Sequence, residues 1–397
     1  MFENVESSTA AAGERRWAAA VNRAIVAAVF FGLLALPVVW FGRASFAPAP
    51  LHENRVMTPF PDLSIHTLQQ FERWFSDRYG MRDALVYYGS RLQMARTGTP
   101  TNQDVVVGPG RWLFFDPYHV PGQPHFADLL GKDPLSSSQL QDIGHNLRDI
   151  HKALAACKIP FYFVIAPDKQ TVYPEKLGVH VPADARTETD QVVAFLRERD
   201  PDLRVIDLRG PVIDAKASAP YEIYKRTDTH WNSLGAFYGY RAIMGRLVRD
   251  GVLAGAPWAD LDQWHVTQHP FDQGDIAVNL LSLPGYFEDF NTTFDKRTPR
   301  LARSVPAPAD AQPDEGQFTE NPQGKGGLLL YRDSFSGELM PFLSEDFAHM
   351  WSYLGRDVDG SEVRRRSPSV VVLEIVERNV RMLTKNPQRN LGDACSR

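Results

Sequence analysis

The chain has 397 residues, 43% of them hydrophobic, enough to bury one large core or two smaller ones. Its 43 Lys and Arg against 48 Asp and Glu leave a net charge of −5 with no long basic run, which argues against nucleic acid as the main partner. Two cysteines, Cys157 and Cys395, are too few for a disulfide framework or a thiolate metal site, and the sequence leaves open whether they pair.

Residues 1–23 read as a small polar cytoplasmic tail carrying Arg15, Arg16 and Arg23. From Ala24 to Phe41 runs an uncharged apolar segment, which at about 1.5 Å per residue just spans a hydrocarbon core of roughly 30 Å. It lacks the polar face of an amphipathic core helix. The prolines at 48 and 50 spoil the small-residue positions a signal peptidase would use, and the basic flank is N-terminal. Residues 24–42 are therefore expected to be an uncleaved transmembrane signal anchor in the inner membrane, with everything from about residue 50 in the periplasm. Residues 43–62 read as a linker.

The following domain is expected over 63–385, with a tail at 386–397. Leu63 to Leu92 has helical spacing. Asp104–Phe115 holds two short β-type runs around Gly108-Pro109-Gly110, a predicted hairpin. A helical pattern covers Ser137 to Cys157, and Phe161–Ala166 is a buried strand ending in Pro167-Asp168-Lys169. A helix near Thr189–Arg197 and a strand near Leu203–Leu208 follow. A second helix runs from Ser233 to Val248, with Asn232 placed to cap its first turn. Residues 286–326 form a long polar excursion, either functional or disordered. After it come a strand at Gly327–Tyr331, a helix over Gly337–Leu343, a short run at Met350–Leu354 and a buried strand at Val370–Val376. This alternation predicts an α/β fold with a mostly parallel sheet between helices.

Two stretches carry chemistry. Lys225-Arg226-Thr227-Asp228-Thr229-His230-Trp231-Asn232 puts a carboxylate and an imidazole two residues apart, and in extended chain these share one face. Tyr331-Arg332-Asp333-Ser334-Phe335-Ser336 places a serine on a strand-to-helix turn. A hydroxyl at a strand end plus a His oriented by an Asp are the parts of an acyl-transfer site. Singly each is ambiguous. Ser334 alone reads as a helix cap. Asp228 and His230 alone could ligate a metal, but no further ligands stand near them, so no metal or cofactor is expected. Asp333 is expected to bond the turn backbone.

Taken together, these stretches and several others resemble the family of the alginate O-acetyltransferases AlgJ and AlgX, whose catalytic domain is similar to the SGNH hydrolases. The resemblance runs from Glu53-Asn54-Arg55 to about Arg378. It takes in Val107-Gly108, Trp112-Leu113-Phe114, Pro167-Asp168-Lys169, Tyr173-Pro174-Glu175, Asp228-Thr229-His230-Trp231-Asn232, Gly274-Asp275, Arg332-Asp333-Ser334-Phe335, Glu374 and Glu377-Arg378. The Asp-x-His precedes the Ser, the reverse of ordinary SGNH hydrolases, which resembles the circularly permuted order of the alginate enzymes. Arg332 stands where the hydrolases carry a Gly.

The resemblance implies an SGNH-like three-layer α/β/α domain and acetyl transfer to an exported polysaccharide. In that scheme Ser334 is the nucleophile, His230 the base and Asp228 its orienter, and the Ser334 N–H serves the oxyanion. The acetyl donor implied is a multi-pass membrane O-acyltransferase. Trp231, Tyr331 and Arg332 are the candidate substrate contacts, the two rings being equally suited to the core. A carbohydrate esterase with the same triad and a non-catalytic scaffold of an export complex are the rival readings.

Overall fold

The computed structural model describes residues 3–40, 58–61, 67–78, 80–307, 316–385 and 388–395. The chain divides into two compact units, residues to 101 with 281–284, and residues 102–280 with 285–397.

The first unit holds three helices, α1 (Glu3–Val39), α2 (Thr67–Arg78) and α3 (Arg82–Thr97). Helix α3 stops at Gly98, whose φ of 68° suits a residue without a Cβ and whose N–H caps the Met94 carbonyl. The transmembrane helix expected over 24–42 is not found as such: among the described residues no helix is long and apolar enough to cross a membrane. Helix α1 runs unbroken from the polar segment into the apolar one, and leaves Ile25, Phe31 and Leu33 more than half exposed. Residues 41 and 42 and nearly all of the expected linker 43–62 lie outside the described residues.

The second unit begins with a hairpin of β1 (Val105–Val107) and β2 (Leu113–Phe115). Helix α4 (Ser137–Ala156) follows, started by a capping box between Ser136 and Gln139. Then come β3 (Phe161–Ala166), a single turn α5 (Lys169–Val172), α6 (Glu188–Arg199), β4 (Arg204–Asp207) and α7 (Arg209–Lys216). Helix α8 (Ser233–Arg249) starts where Asn232 Oδ1 accepts the Leu234 and Gly235 N–H groups at 3.0 and 3.1 Å. The 286–326 region contributes β6 (Phe290–Lys296), paired with the preceding β5 (Trp264–Pro270), and then β7 (Arg303–Val305) and β8 (Gly316–Glu320). Last are β9 (Gly327–Arg332), α9 (Ser336–Leu343), β10 (His349–Leu354), β11 (Val358–Asp359), α10 (Gly360–Arg366), β12 (Val370–Val376) and β13 (Gln388–Arg389).

The main sheet has the order β4-β3-β12-β9-β10-β8-β7. The first five strands run parallel, whereas β8 is antiparallel to β10 and β7 to β8. The sheet is therefore mixed, a correction to the mostly parallel expectation. The reversed strand β8 and the edge strand β7 both come from the polar excursion, where β8 buries only Phe318 and β7 buries nothing, so they carry little hydrophobic signal.

Alternation along the central strands builds the layers. Tyr162, Val164 and Ala166 of β3 join Leu328 and Leu330 of β9 and Val372 of β12 on one face, under α7, α8 and α9. Phe161, Phe163 and Ile165 join Leu329, Tyr331, Val371 and Leu373 on the other, under α4, α6 and α10. The carboxyl ends of β3, β9 and β12 open on the same edge, the usual binding edge of such sheets. The tail expected after 385 returns to the body of the unit: β13 pairs with β11, and Cys395 is disulfide-bonded to Cys157 across 238 residues of sequence.

Candidate active site

The stretch before α8 cannot be helical through Trp231, because Asn232 takes extended dihedrals as the cap. A short antiparallel bridge between Tyr224 and Trp231 closes the stretch into a loop. Within it His230 Nδ1 lies 2.7 Å from Asp228 Oδ1, which also accepts the His230 backbone N–H at 2.8 Å. The other carboxylate oxygen of Asp228 accepts the Asp275 N–H at 3.1 Å. Burial works against the Asp228 charge, but the hydrogen bonds and charge of His230, with Lys225 nearby, hold the carboxyl below the usual range. An ionised Asp228 fixes the proton on Nδ1 and leaves Nε2 as the acceptor. That Nε2 is 2.8 Å from Ser334 Oγ.

Ser334 sits between β9 and α9, on a turn made by its neighbours. Asp333 accepts the Phe335 N–H at 2.9 Å and the Val376 N–H at 2.7 Å, so it braces the turn against β12. Glu374 of β12 accepts from Ser336 Oγ at 2.7 Å and from the Asp333 N–H at 3.3 Å. Burial, with Asp333 adjacent, pushes its carboxyl well above the usual range.

The supporting residues come from places the sequence motifs did not explain. Lys169, 2% exposed, donates from Nζ to the carbonyls of Lys225, Arg226 and Asp228 at 3.1, 3.1 and 2.6 Å. Burial lowers its pKa to about 8, so it remains largely charged at neutral pH. Asp289, inside the 286–326 excursion, accepts the N–H groups of Arg226 and Thr227 at 2.9 and 2.8 Å and the Thr227 hydroxyl at 2.5 Å. Asp275 accepts the Thr229 N–H at 2.7 Å and its hydroxyl at 2.6 Å, and its Oδ2 lies 3.5 Å from His230 Nδ1. Burial and the neighbouring Asp228 raise the Asp275 pKa. Lys225 and Ser233 both bond Glu338 of α9, at 2.9 and 2.6 Å, which ties the His loop to the helix behind Ser334.

The three candidate substrate contacts lie elsewhere than in an open cleft. Trp231 is fully buried, its Nε1–H donating to the Phe335 carbonyl at 3.0 Å. Tyr331 is 3% exposed on the opposite face of the sheet, stacked on Tyr353 at 5.9 Å. Arg332 is buried, with Nε on Ser352 Oγ at 2.7 Å and Nη1 on the Asp333 carbonyl at 3.1 Å. Trp231 and Arg332 brace the site from within, whereas Tyr331 belongs to the core on the far face of the sheet. Arg378, just past β12, pairs with Asp168, and its guanidinium lies 5.1 Å from the Phe335 ring. It also lines a cavity of about 590 Å³ walled by Tyr118, His119, Asp168 and Glu377 among others.

With this geometry in hand, the relatives can be placed. Residues 105–353 match the family model of the SGNH hydrolase-like domain of the acetyltransferase AlgX. The probable alginate O-acetylase AlgJ of Pseudomonas putida is 28% identical over 293 residues, 70% of each chain, and that of Azotobacter vinelandii is 26% identical over 301 residues, again 70% of each. Among solved structures, Bacillus cereus PatB1 aligns with a TM-score of 0.51 at 16% identity, covering 70% of this chain and 96% of that one. Its form with a sulfonyl adduct aligns with a TM-score of 0.52 at 17% identity, covering 70% and 95%. These two show a shared fold. The chain belongs to the family of the SGNH hydrolase-like acetyltransferase AlgX, and it is an O-acetyltransferase.

Proposed function

We propose that the protein moves acetyl groups onto hydroxyls of an exported polysaccharide through an acetyl-Ser334 intermediate. One observation carries this reading: His230 bridges Ser334 Oγ at 2.8 Å and Asp228 at 2.7 Å through its two ring nitrogens. The polysaccharide as acceptor rests on the relatives, which are named alginate O-acetylases.

In the first half-reaction His230 Nε2 takes the Ser334 proton as Oγ attacks the acetyl carbonyl. Asp228 stabilises the imidazolium, and the Ser334 N–H faces the oxyanion. Collapse breaks the bond to the donor's leaving group, which takes the proton back from His230. In the second half-reaction His230 deprotonates a sugar hydroxyl, whose oxygen attacks acetyl-Ser334 and restores the serine.

The donor in this scheme is a multi-pass membrane O-acyltransferase, with the domain beside it on the periplasmic side. The arginine flank at 15, 16 and 23 supports that orientation. So does the Cys157–Cys395 disulfide, since such bonds persist in oxidising compartments. A reporter fused after Arg378 that works only in the cytoplasm would count against it.

The chemistry is tested with the purified chain, an activated acetyl ester and an oligosaccharide acceptor. The expected result is acetyl-Ser334 by intact mass and acetylated sugar. Ser334→Ala and His230→Ala should lose both, by on the order of 10⁴-fold or more. Acetate release at one rate with or without acceptor would make the protein an esterase. A Ser334→Ala chain that acetylates as the parent does would leave only the scaffold.

A further inference from the structure

Outside the catalytic residues, the loop after β2 gathers Asp116, His119 and His125, whose ligand atoms all lie within 4.8 Å of one another. The loop holds them by its own geometry. The His119 N–H donates to the Asp116 carbonyl at 3.2 Å, turning the chain at Pro117-Tyr118. The Phe126 N–H donates to Asp116 Oδ2 at 2.7 Å, closing the loop at its far end. Phe126 takes a φ of 55°, which a bulky residue adopts only under constraint, and its buried ring packs on Phe114 at 6.4 Å. The residue before it, His125, is thereby turned back towards Asp116.

The two imidazoles face each other with centroids 3.8 Å apart and planes 19° apart. The Nδ1 atom of each is buried without a hydrogen-bond partner. The His125 Nδ1 lies 3.5 Å from Asp116 Oδ2, too long for a hydrogen bond. Two unpaired imidazole nitrogens are thus brought against a carboxylate oxygen whose hydrogen bond comes from the Phe126 N–H, and a cation would give both nitrogens a partner. Metal bonds of about 2.0–2.2 Å at a tetrahedral angle put neighbouring ligand atoms roughly 3.3–3.5 Å apart, the separation seen between His125 and Asp116. For both lone pairs to meet one ion the rings must splay from their stacking, which is a side-chain rotation. The other such cluster, Asp228, His230 and Asp275, has no spare nitrogen, because His230 bonds Asp228 and Ser334 through both.

We propose that Asp116, His119 and His125 form a three-ligand site for a divalent transition ion of the zinc class. An N₂O donor set suits zinc, cobalt or nickel better than magnesium or calcium. Asp116 and His119 line the cavity of about 590 Å³ that extends to Asp168 and Arg378, so the open coordination position faces it and takes an oxygen ligand there.

The test uses the untagged full-length chain in detergent, stripped of metal with a chelator and titrated with Zn²⁺ by calorimetry. Co²⁺ absorption serves as the readout of coordination. One zinc per chain is expected, with affinity at least tenfold weaker in His119→Gln and in His125→Gln. A zinc-induced rise in Tm should be present in the parent and absent from both variants, whose metal-free Tm should match the parent's. His145→Gln, an exposed histidine of α4 paired only with Asp149, and His230→Ala should bind as the parent does. Failure of the parent to bind stoichiometrically, retention of full affinity in both His119→Gln and His125→Gln, or loss in His230→Ala alone would overturn the proposal.

Discussion

Replacing Asp228 by Asn tests the proposed mechanism most directly, because the site asks three things of that side chain and an amide supplies fewer. One carboxylate oxygen accepts the His230 N–H at 2.8 Å and its Nδ1–H at 2.7 Å, and the other accepts the Asp275 N–H at 3.1 Å. Every neighbour is a donor. With its oxygen towards His230, the Asn would oppose its NH₂ to the Asp275 N–H. With its NH₂ towards His230, it would oppose the backbone N–H and donate into Nδ1. That moves the ring proton to Nε2, which then donates to Ser334 and no longer accepts its proton. Either orientation also removes the charge that stabilises the imidazolium.

Loss of such a carboxylate costs on the order of 10⁴ in rate, about 5.5 kcal/mol of transition-state stabilisation. One buried donor left unpaired costs a further ~1–3 kcal/mol of stability, too little to unfold the domain. The assay is kcat/KM for acetyl-Ser334 formation from an activated ester, followed by intact mass, with circular dichroism as the check on folding. A rate within tenfold of the parent would refute the role given to Asp228. Asp275→Asn in the same background identifies the source of any residual rate, since Asp275 Oδ2 lies 3.5 Å from the same ring nitrogen.

Lys169→Met should destabilise the second unit by roughly 3–5 kcal/mol in chemical denaturation and lower kcat, since three carbonyls of the Asp228 loop lose their donor while the volume stays filled; a loss under ~1 kcal/mol would show the clamp is dispensable. Gly274→Ala would bring a Cβ to 2.1 Å from Thr227 Oγ1 and 2.5 Å from its carbonyl oxygen, atoms that Asp289 holds in place. A cost of about 2–3 kcal/mol and a weakened triad are expected, and an unchanged Tm would contradict the packing. The Asp346 carboxyl is pushed up to about 7, chiefly by burial and also by Glu345, against the opposing hydrogen bond from Tyr240. Its folded pKa lies above the unfolded one, so the folded state binds more protons between about pH 4 and 7, and stability falls as pH rises through that window, by at most about 4 kcal/mol. Asp346→Asn should flatten the decline, read as urea midpoints at pH 5 and pH 8; an unaltered slope would show that another group causes it.

Much of the frame was legible locally. The runs that became β3, β9 and β12 are almost wholly apolar because each is buried on both faces, with Arg332 at the end of β9 and Glu374 inside β12 as the exceptions. Asn232 announced the start of α8 because a cap is a one-turn interaction. The strands in and just before the excursion were not legible: β5 and β6 form a half-exposed ribbon, β7 is a short edge strand and β8 lies between it and β10, so their stability comes from backbone pairing that leaves little mark on residue type. Nor could the spacing of Asp116, His119 and His125 announce a cluster, since it depends on how Phe126 is turned into the core.

The sequence by itself determined the buried central strands and the main helices, that Asp228 and His230 can share one face of an extended stretch, and that Ser334 sits on the turn after a buried strand. Those are properties of side-chain periodicity and of turns a few residues long. Only the tertiary structure decided that His230 and Ser334, 104 residues apart, lie within a hydrogen bond of each other. The same holds for the bracing of their loops by Lys169, Asp275 and Asp289, for the turning of Trp231 and Tyr331 into the core, and for the meeting of Cys157 and Cys395. Such pairings follow from the order of strands in the sheet and from which face each residue presents. They are free-energy gains of the assembled fold, and no local pattern encodes them.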